Sequence, residues 1–347
     1  MAKRILLRVL ALGAIAAFIA IVPHNAVSAE GIKILVHSAY ASELMDIADR
    51  YPDLEIVSAN TNSEFLEVVP ECEAIIGPSY DIAAIVRAGT KLKWIQSASA
   101  GVEGYVRVPE LLESDIVLTN AKIIQGPEIA DHALALLLNL TRDLKFYNEQ
   151  MSKGWERTQR LPIIELRDKT VLVMGLGGIG TQVAERCFAF GMRVLAIDPK
   201  DIPYMRSVDH LGKPEDLPEL LPQADVIISC VPRTYESEGM LGAKEFDLMK
   251  EGVYIINVSR GAIIDTDALV EALKSGKVAG AGLDVTDPEP LPADHPLWSM
   301  PNVTITPHIA TLSDAIQGRR IALFRDNIIR YMEGRPLRHV VDKERGY

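Results

Sequence analysis

The 347 residues include only three cysteines, Cys72, Cys187 and Cys230. They are widely spaced and form no CxxC pair, which excludes a zinc ribbon, a dithiol motif and a disulfide-stapled mini-fold. Three small apolar core residues are expected instead, and no metal. Basic charge is also short, with 36 Lys and Arg against 47 Asp and Glu, a net charge of −11. Chains that grip nucleic acid usually carry a basic surplus or patch, so no nucleic-acid partner is expected. Internal repeats and low-complexity stretches are missing, which sets aside solenoids and disordered tails. Beyond residue 30 no stretch has the length and apolarity of a membrane span.

The remainder suits a globular protein. Apolar residues make up 48% and charged residues 24% of the chain, enough for a sizeable core. At about 150 residues per domain, the length suggests two domains.

Residues 1–29 stand apart. Lys3, Arg4 and Arg8 make a basic start, residues 9–22 carry no charge, and Ala26, Val27, Ser28 and Ala29 follow. Val27 and Ala29 suit the −3 and −1 positions of a cleavage site, with Glu30 as the first mature residue. This order is that of a secretory signal. The uncharged run is short for a span of about 20 residues, unless it extends back through Ile5 as an uncleaved anchor. The leader therefore implies a periplasmic or secreted protein. A membrane-anchored protein and a cytoplasmic one with an inefficient leader are the alternatives.

From Gly31 onward, strand and helix patterns alternate. Short apolar runs at 32–36, 54–57, 74–76, 92–95 and 116–118 read as buried strands, with helix-like segments at 42–50 and 81–88. A long apolar helix pattern runs from Pro127 to about Phe146, where an interface between domains or subunits is its natural place. A second series reads as strands at 171–174, 193–197, 226–230, 253–258, 281–285 and 303–306, and a last helix pattern spans 314–333. Alternation of this kind implies parallel sheets covered on both faces. Six strands match a dinucleotide-binding domain.

Gly175, Leu176, Gly177, Gly178, Ile179 and Gly180 spell GxGxxG directly after a strand pattern and at the start of a helix pattern. In that context Gly175 makes the tight turn, Gly177 admits the pyrophosphate and Gly180 lets helix and strand pack closely. The helix N-terminus favours the anion. Asp198 ends the next strand, where it can accept from a ribose 2′-OH and would repel a 2′-phosphate, so NAD is expected over NADP. Lys200 is the counter-signal.

Three further residues lie just past strand ends: Arg260, Glu289 and His308. Ligands of open parallel sheets bind at the carboxyl ends of the strands, so all three point to the edge that carries the glycine loop. A lone His at a strand end is more often structural, and a lone Arg or Glu in a loop is usually a solvated charge. Their shared placement beside a cofactor motif favours function. Arg260 offers a rigid donor fork for a carboxylate and a carbonyl. His308 can give or take a proton near neutral pH, and Glu289 can stabilise its imidazolium. That set suits reduction of the 2-carbonyl of a 2-oxo acid, with His308 protonating the oxygen.

At these residues the chain resembles the D-isomer-specific 2-hydroxyacid dehydrogenase family, over about residues 31–347. The motifs are GLGGIG with Asp198; Asn257, Val258, Ser259, Arg260 and Gly261; Leu283 to Pro290; and Thr306, Pro307 and His308. The resemblance implies that Arg260 binds substrate, Glu289 assists His308 and His308 is the acid/base. It also implies that Asp284 holds the nicotinamide carboxamide and that Val231 and Pro232 pass beneath the cofactor. The stretch 97–103 resembles the family's substrate loop, with backbone N–H groups at Ala100 and Gly101 for the substrate carboxylate. The implied fold is α/β with two doubly wound parallel-sheet domains. A flavodoxin-like substrate domain (30–126 and 311–347) holds an inserted Rossmann NAD-binding domain (127–310). A homodimer is implied too. Thr286 stands where an aromatic is usual and Thr311 where a small residue is common. Glu289, where the formate dehydrogenase branch has Gln, argues against formate. The chain ends soon after its last helix pattern, without the added regulatory domain of many serine-pathway phosphoglycerate dehydrogenases, so another role is expected. The leading expectation is a glyoxylate- or hydroxypyruvate-type reductase. The alternative is an NAD(H)-sensing binding protein on the same fold.

Overall fold

The computed structural model describes residues 31–78, 80–157 and 162–347. The leader at 1–29 lies outside the described residues. Among those described, no helix is long and apolar enough to cross a membrane.

Two parallel sheets organise the chain. The first is built from β1 (Ile32–His37), β2 (Leu54–Ala59), β3 (Ala74–Ile76), β4 (Trp94–Gln96) and β5 (Val117–Thr119), in the order β2-β1-β3-β4-β5. The second holds β6 (Thr170–Met174), β7 (Arg193–Ile197), β8 (His210–Gly212), β9 (Val226–Ser229), β10 (Val253–Asn257), β11 (Val278–Leu283) and β12 (Val303–Ile305). Its order is β12-β11-β10-β9-β6-β7-β8. Both are doubly wound, and both reverse direction at an internal switch point. The central strands are buried on both faces, which is why they read as unbroken apolar runs: every residue of β6 and β9 is buried.

Several boundaries depart from the sequence patterns. β8 was not expected. Its three residues pair with β7 at Leu195, Ala196 and Ile197, but His210 and Gly212 at its ends hide the apolar signal. β4 begins at Trp94 rather than at residue 92, and β11 covers 278–283 rather than 281–285. Gly280 and Gly282 have no side chain to announce a strand. The long helix pattern is broken. α1 (Gly126–Thr141) stops where Asp143 turns left-handed at φ 52°, and a separate helix covers Leu144–Gln150. The stretch 42–50 is mostly a 3₁₀ turn, Met45–Asp49.

Packing tells which sheet each helix serves. Ile129, Ala133, Leu136, Leu137 and Leu140 of α1 lie in one apolar cluster with Val171, Val173 and Ile256 of the second sheet. The other helices that matter here are α2 (Gly178–Ala189) and α3 (Ile316–Met332). Phe324 and Ile328 of α3 are fully buried against Ile34, Val36 and Trp94 of the first sheet. Two polar ties secure α3 across the chain. Arg319 donates from Nε to the Ile124 carbonyl at 2.8 Å and from Nη2 to Glu128 of α1. Asn327, wholly buried, donates to Gln96 Oε1 at 2.8 Å. All three cysteines are free. Burial pushes the Cys72 and Cys187 thiols up to about 12, so they stay protonated and inert.

The β6–α2 turn is the tightest joint. Gly175 adopts φ +87°, and a Cβ on Gly180 would sit 1.8 Å from the Gly175 carbonyl oxygen. Backbone cannot swing aside as a side-chain tip can. Gly180→Ala is therefore expected to destabilise the protein by about 1–3 kcal/mol through overpacking. Denaturant unfolding should show a lower midpoint at constant m-value; an unmoved midpoint would mean that the turn relaxes freely.

Candidate active site

Because every strand pair in the second sheet is parallel, the loops that follow the strands gather at one edge. Residues 175–180 follow β6, Asp198 follows β7, Val231 and Pro232 follow β9, Arg260 follows β10, Asp284 and Glu289 follow β11, and His308 follows β12. The glycine loop lies at the switch point between β6 and β9, where doubly wound sheets open a crevice.

Glycine-loop geometry fits a dinucleotide on one direct observation. A Cβ at Gly177 would meet no atom within 4 Å. Nothing in the protein's own packing requires glycine there, so the open space is what a close-lying ligand needs. The first N–H groups of α2 lack intrahelical partners by construction and face that space. Gly178 has a packing task as well, since its Cα side lies against the backbone of Ile123. Ile179 packs on the apolar cluster beneath α1. Val231 lies beside Gly175, and the Pro232 carbonyl accepts from Ser237 Oγ at 2.6 Å.

Asp198 is buried, and both its oxygens are used. Oδ2 accepts from Leu176 N and Oδ1 from Lys200 N, each at 2.8 Å. The first bond ties Asp198 to the glycine loop. Each oxygen keeps a second lone pair for a hydroxyl donor. The Lys200 ammonium lies 4.4 Å from the ring centre of Tyr347, and Lys213 Nζ pairs with Asp201 at 2.7 Å.

On the other side of the crevice, His308 Nδ1 meets Glu289 Oε1 at 2.6 Å. The His308 backbone is left-handed at φ 54°, a conformation that a non-glycine residue holds only when its surroundings enforce it. Enforcement comes from two points. His308 N donates to the Asp284 carbonyl at 2.8 Å. The Asp284 carboxylate, 2% exposed, accepts from Thr306 Oγ1 at 2.6 Å and from Ile309 N and Ala310 N at 3.0 Å each. His132 of α1 bonds Thr306 Oγ1 at 2.8 Å. Asp284 thus organises the histidine loop, a task that the family resemblance does not imply for it.

Arg260 is framed with equal care. Asn257 Nδ2 donates to the Arg260 carbonyl at 2.8 Å, and Arg260 Nη1 donates to the Ser259 carbonyl at 2.6 Å. Gly261 lies directly on the Thr286–Asp287 backbone, which brings the Arg260 loop beside the one that carries Glu289. Thr286 turns its hydroxyl to the Pro288 carbonyl at 2.9 Å.

The loop 97–103 of the first domain closes the site. Asn120 Nδ2 donates to the Ala100 carbonyl at 2.7 Å, and Arg320 Nε to that of Ala98 at 3.1 Å. Ala100 N is engaged by Gln125 Oε1 at 3.3 Å. Gly101 lies against the Arg260 guanidinium, and Glu103 binds it at 2.7 Å. The sequence patterns assign no role to Glu103, Asn120, Gln125 or Thr306. The signal for Glu103 was present: a carboxylate two residues past a glycine in the substrate loop. Its target, Arg260, is remote in sequence. Among the described residues, no group of three His, Cys, Asp or Glu side chains is arranged to hold a metal ion.

Comparison with known proteins agrees with this geometry. The profile of "D-isomer specific 2-hydroxyacid dehydrogenase, NAD binding domain" matches residues 134–310. A D-3-phosphoglycerate dehydrogenase of Archaeoglobus fulgidus is 36% identical over 316 residues, which cover 90% of this chain and 59% of that protein. The chain spans less than two thirds of the length of such phosphoglycerate dehydrogenases. A hydroxypyruvate reductase of Thermotoga maritima is 33% identical, over 84% of this chain and 95% of its own. A solved D-isomer specific 2-hydroxyacid dehydrogenase of Xanthobacter autotrophicus, in complex with NADPH and MES, superposes with a TM-score of 0.78 at 27% identity. It covers 92% of this chain and 100% of that one.

Gly101 offers a clean test of the site. A methyl there would stand 1.7 Å from Arg260 Nη2 and 2.7 Å from Glu103 Oε2. Both are side-chain tips rather than backbone, so Gly101→Ala should cost less stability than Gly180→Ala, about 1 kcal/mol for the bonds that the guanidinium gives up. It should displace the guanidinium and cost turnover about 10²-fold. A scan that shows global destabilisation instead would count against this geometry.

Proposed function

This chain belongs to the D-isomer-specific 2-hydroxyacid dehydrogenase family, and on that premise we propose that it reduces small 2-oxo acids, such as glyoxylate or hydroxypyruvate, with NADH. The observation that carries the proposal is the 2.6 Å His308–Glu289 contact on the same sheet edge as Arg260 and the glycine loop.

When bound, the nicotinamide cofactor supplies the hydride. The protein's residues do the rest. Arg260 and the loop at Ala100 and Gly101 orient the substrate carboxylate and carbonyl by charge-assisted hydrogen bonds. Glu289 holds Nδ1 of His308, which leaves Nε2 as the ring nitrogen that delivers a proton to the carbonyl oxygen. The Glu289 carboxylate, through that contact, fixes the orientation of the ring. Thr306, Ile309 and Ala310, through Asp284, keep the imidazole in place.

NAD is the proposed cofactor. Asp198 offers lone pairs to a ribose diol and repels a 2′-phosphate. The nearby ammonium groups of Lys200 and Lys213 are already engaged with Tyr347 and Asp201. The Xanthobacter relative holds NADPH, so the NADH reading rests on Asp198 alone. Asp198→Ala should raise kcat/KM for NADPH relative to NADH; an unchanged ratio would put the 2′-OH contact elsewhere.

We also propose a homodimer and, from residues 1–29, export with cleavage before Glu30. Sedimentation reads the first. For the second, N-terminal sequencing of cell fractions is decisive, and an intact Met1 in the cytoplasm would sink it.

The activity is tested with protein lacking residues 1–29, by following NADH consumption with glyoxylate, hydroxypyruvate, pyruvate, phenylpyruvate and oxaloacetate. Turnover is expected, and His308→Ala should lower kcat by about 10²–10⁴-fold while NADH binding persists. Tight NADH binding with no turnover of any substrate would favour the sensing protein over the enzyme.

A further inference from the structure

Glu103 opens a short helix of the first domain, Glu103–Val106, and its carboxylate reaches across to the second. Oε1 accepts from Arg260 Nε at 2.7 Å, and Oε2 lies 3.5 Å from Nη2. The two side chains are 25% and 29% exposed, so solvent screens the pair less than one on the open surface. A guanidinium has two fork-shaped edges, Nε with Nη2 and Nη1 with Nη2. Glu103 takes the first. Ser259 accepts one N–H from Nη1 at 2.6 Å, and the remaining donors of the second edge are left for a ligand. The absence of a side chain at Gly101 gives Nη2 and Oε2 their room.

A second charged pair lies within the loop that follows β9. Glu238 accepts from Arg233 Nη2 at 2.7 Å. That bond holds the Glu238 carboxyl below the usual range, and Arg107 of the first domain adds to the effect. Arg233 in turn feels Glu103 and Asp287. Of these charges, Glu103 is the one hydrogen-bonded to Arg260.

We propose that Glu103 is a positioning residue: it clamps Arg260 by the Nε/Nη2 edge, couples the guanidinium to the substrate loop, and presents the Nη1/Nη2 edge to the anionic substrate. The inference rests on the reading of Arg260 as the 2-oxo acid anchor. A clamped fork has already lost its rotational freedom, so the substrate meets a preorganised donor pair.

The test compares wild type, Glu103→Ala and Glu103→Gln as full chains at saturating NADH. Glutamine keeps an acceptor for Nε–H without the charge. Glu103→Ala should lower kcat/KM for the best 2-oxo acid by about 10- to 100-fold. Glu103→Gln should recover at least about tenfold of that loss, and the NADH dissociation constant should stay within about twofold in both. A merely structural tie would lower the melting temperature of both variants and leave kcat/KM unchanged, and that result overturns the proposal. Absence of turnover in wild type overturns the reductase reading instead. Calorimetric binding of oxamate to the NADH complex then decides on Glu103. Weaker binding in Glu103→Ala than in wild type supports the proposal, while equal binding, or none to wild type, overturns it.

Discussion

Parallel strand pairing is the constraint on which this molecule depends. Two neighbouring parallel strands need a crossover that returns the chain over a sheet face, so every strand is entered at one end and left at the other. In the second sheet this delivers the glycine loop, Asp198, Val231, Arg260, Asp284, Glu289 and His308 to a single edge. The residues come from segments more than a hundred positions apart, and no local signal unites them. The same winding buries the strands on both faces and gives them their apolar sequence.

Delivery to an edge does not by itself orient a side chain. Buried polar groups do that work here. The Asp284 carboxylate gathers the Thr306 hydroxyl and the backbone of Ile309 and Ala310. Its own backbone carbonyl accepts from His308 N. A carboxylate this deeply buried is tolerated only when its lone pairs are satisfied, so the loop and the acid stabilise one another. Asn257 plays the same part for Arg260, with bonds to the Arg260 carbonyl and to Ser259. Around the first sheet, Gln96, Thr119 and Asn327 make a buried polar link between β4, β5 and α3, at the strand end from which the 97–103 loop departs.

The two domains meet through charge as well as through packing. Arg319 ties α3 to the chain entering α1 and to Glu128. Glu103 ties the 97–103 loop to Arg260. Each of these pairs joins residues that look like ordinary solvated charges in the sequence. Their partners are 191 and 157 positions away, and only folding shows that they are partly shielded from water.

The sequence by itself determined the α/β class, ten of the strands to within about two residues, the glycine loop with Asp198, and the placement of Arg260, Glu289 and His308 just past strand ends. Those features are written in local periodicity, glycine spacing and position after a strand, all short-range consequences of backbone sterics and burial. Only the tertiary structure decided the rest. β8 exists because β7 offers it a pairing edge, not because of its own composition. The long apolar helix pattern breaks at Asp143, where the backbone turns left-handed. Asp284 serves the histidine loop because folding brings Thr306, Ile309 and Ala310 to its carboxylate. Glu103 meets Arg260 because the 97–103 loop of one domain closes on the strand end of the other. Contacts between residues so distant in sequence form when long loops close, and no window of neighbouring residues carries their energy.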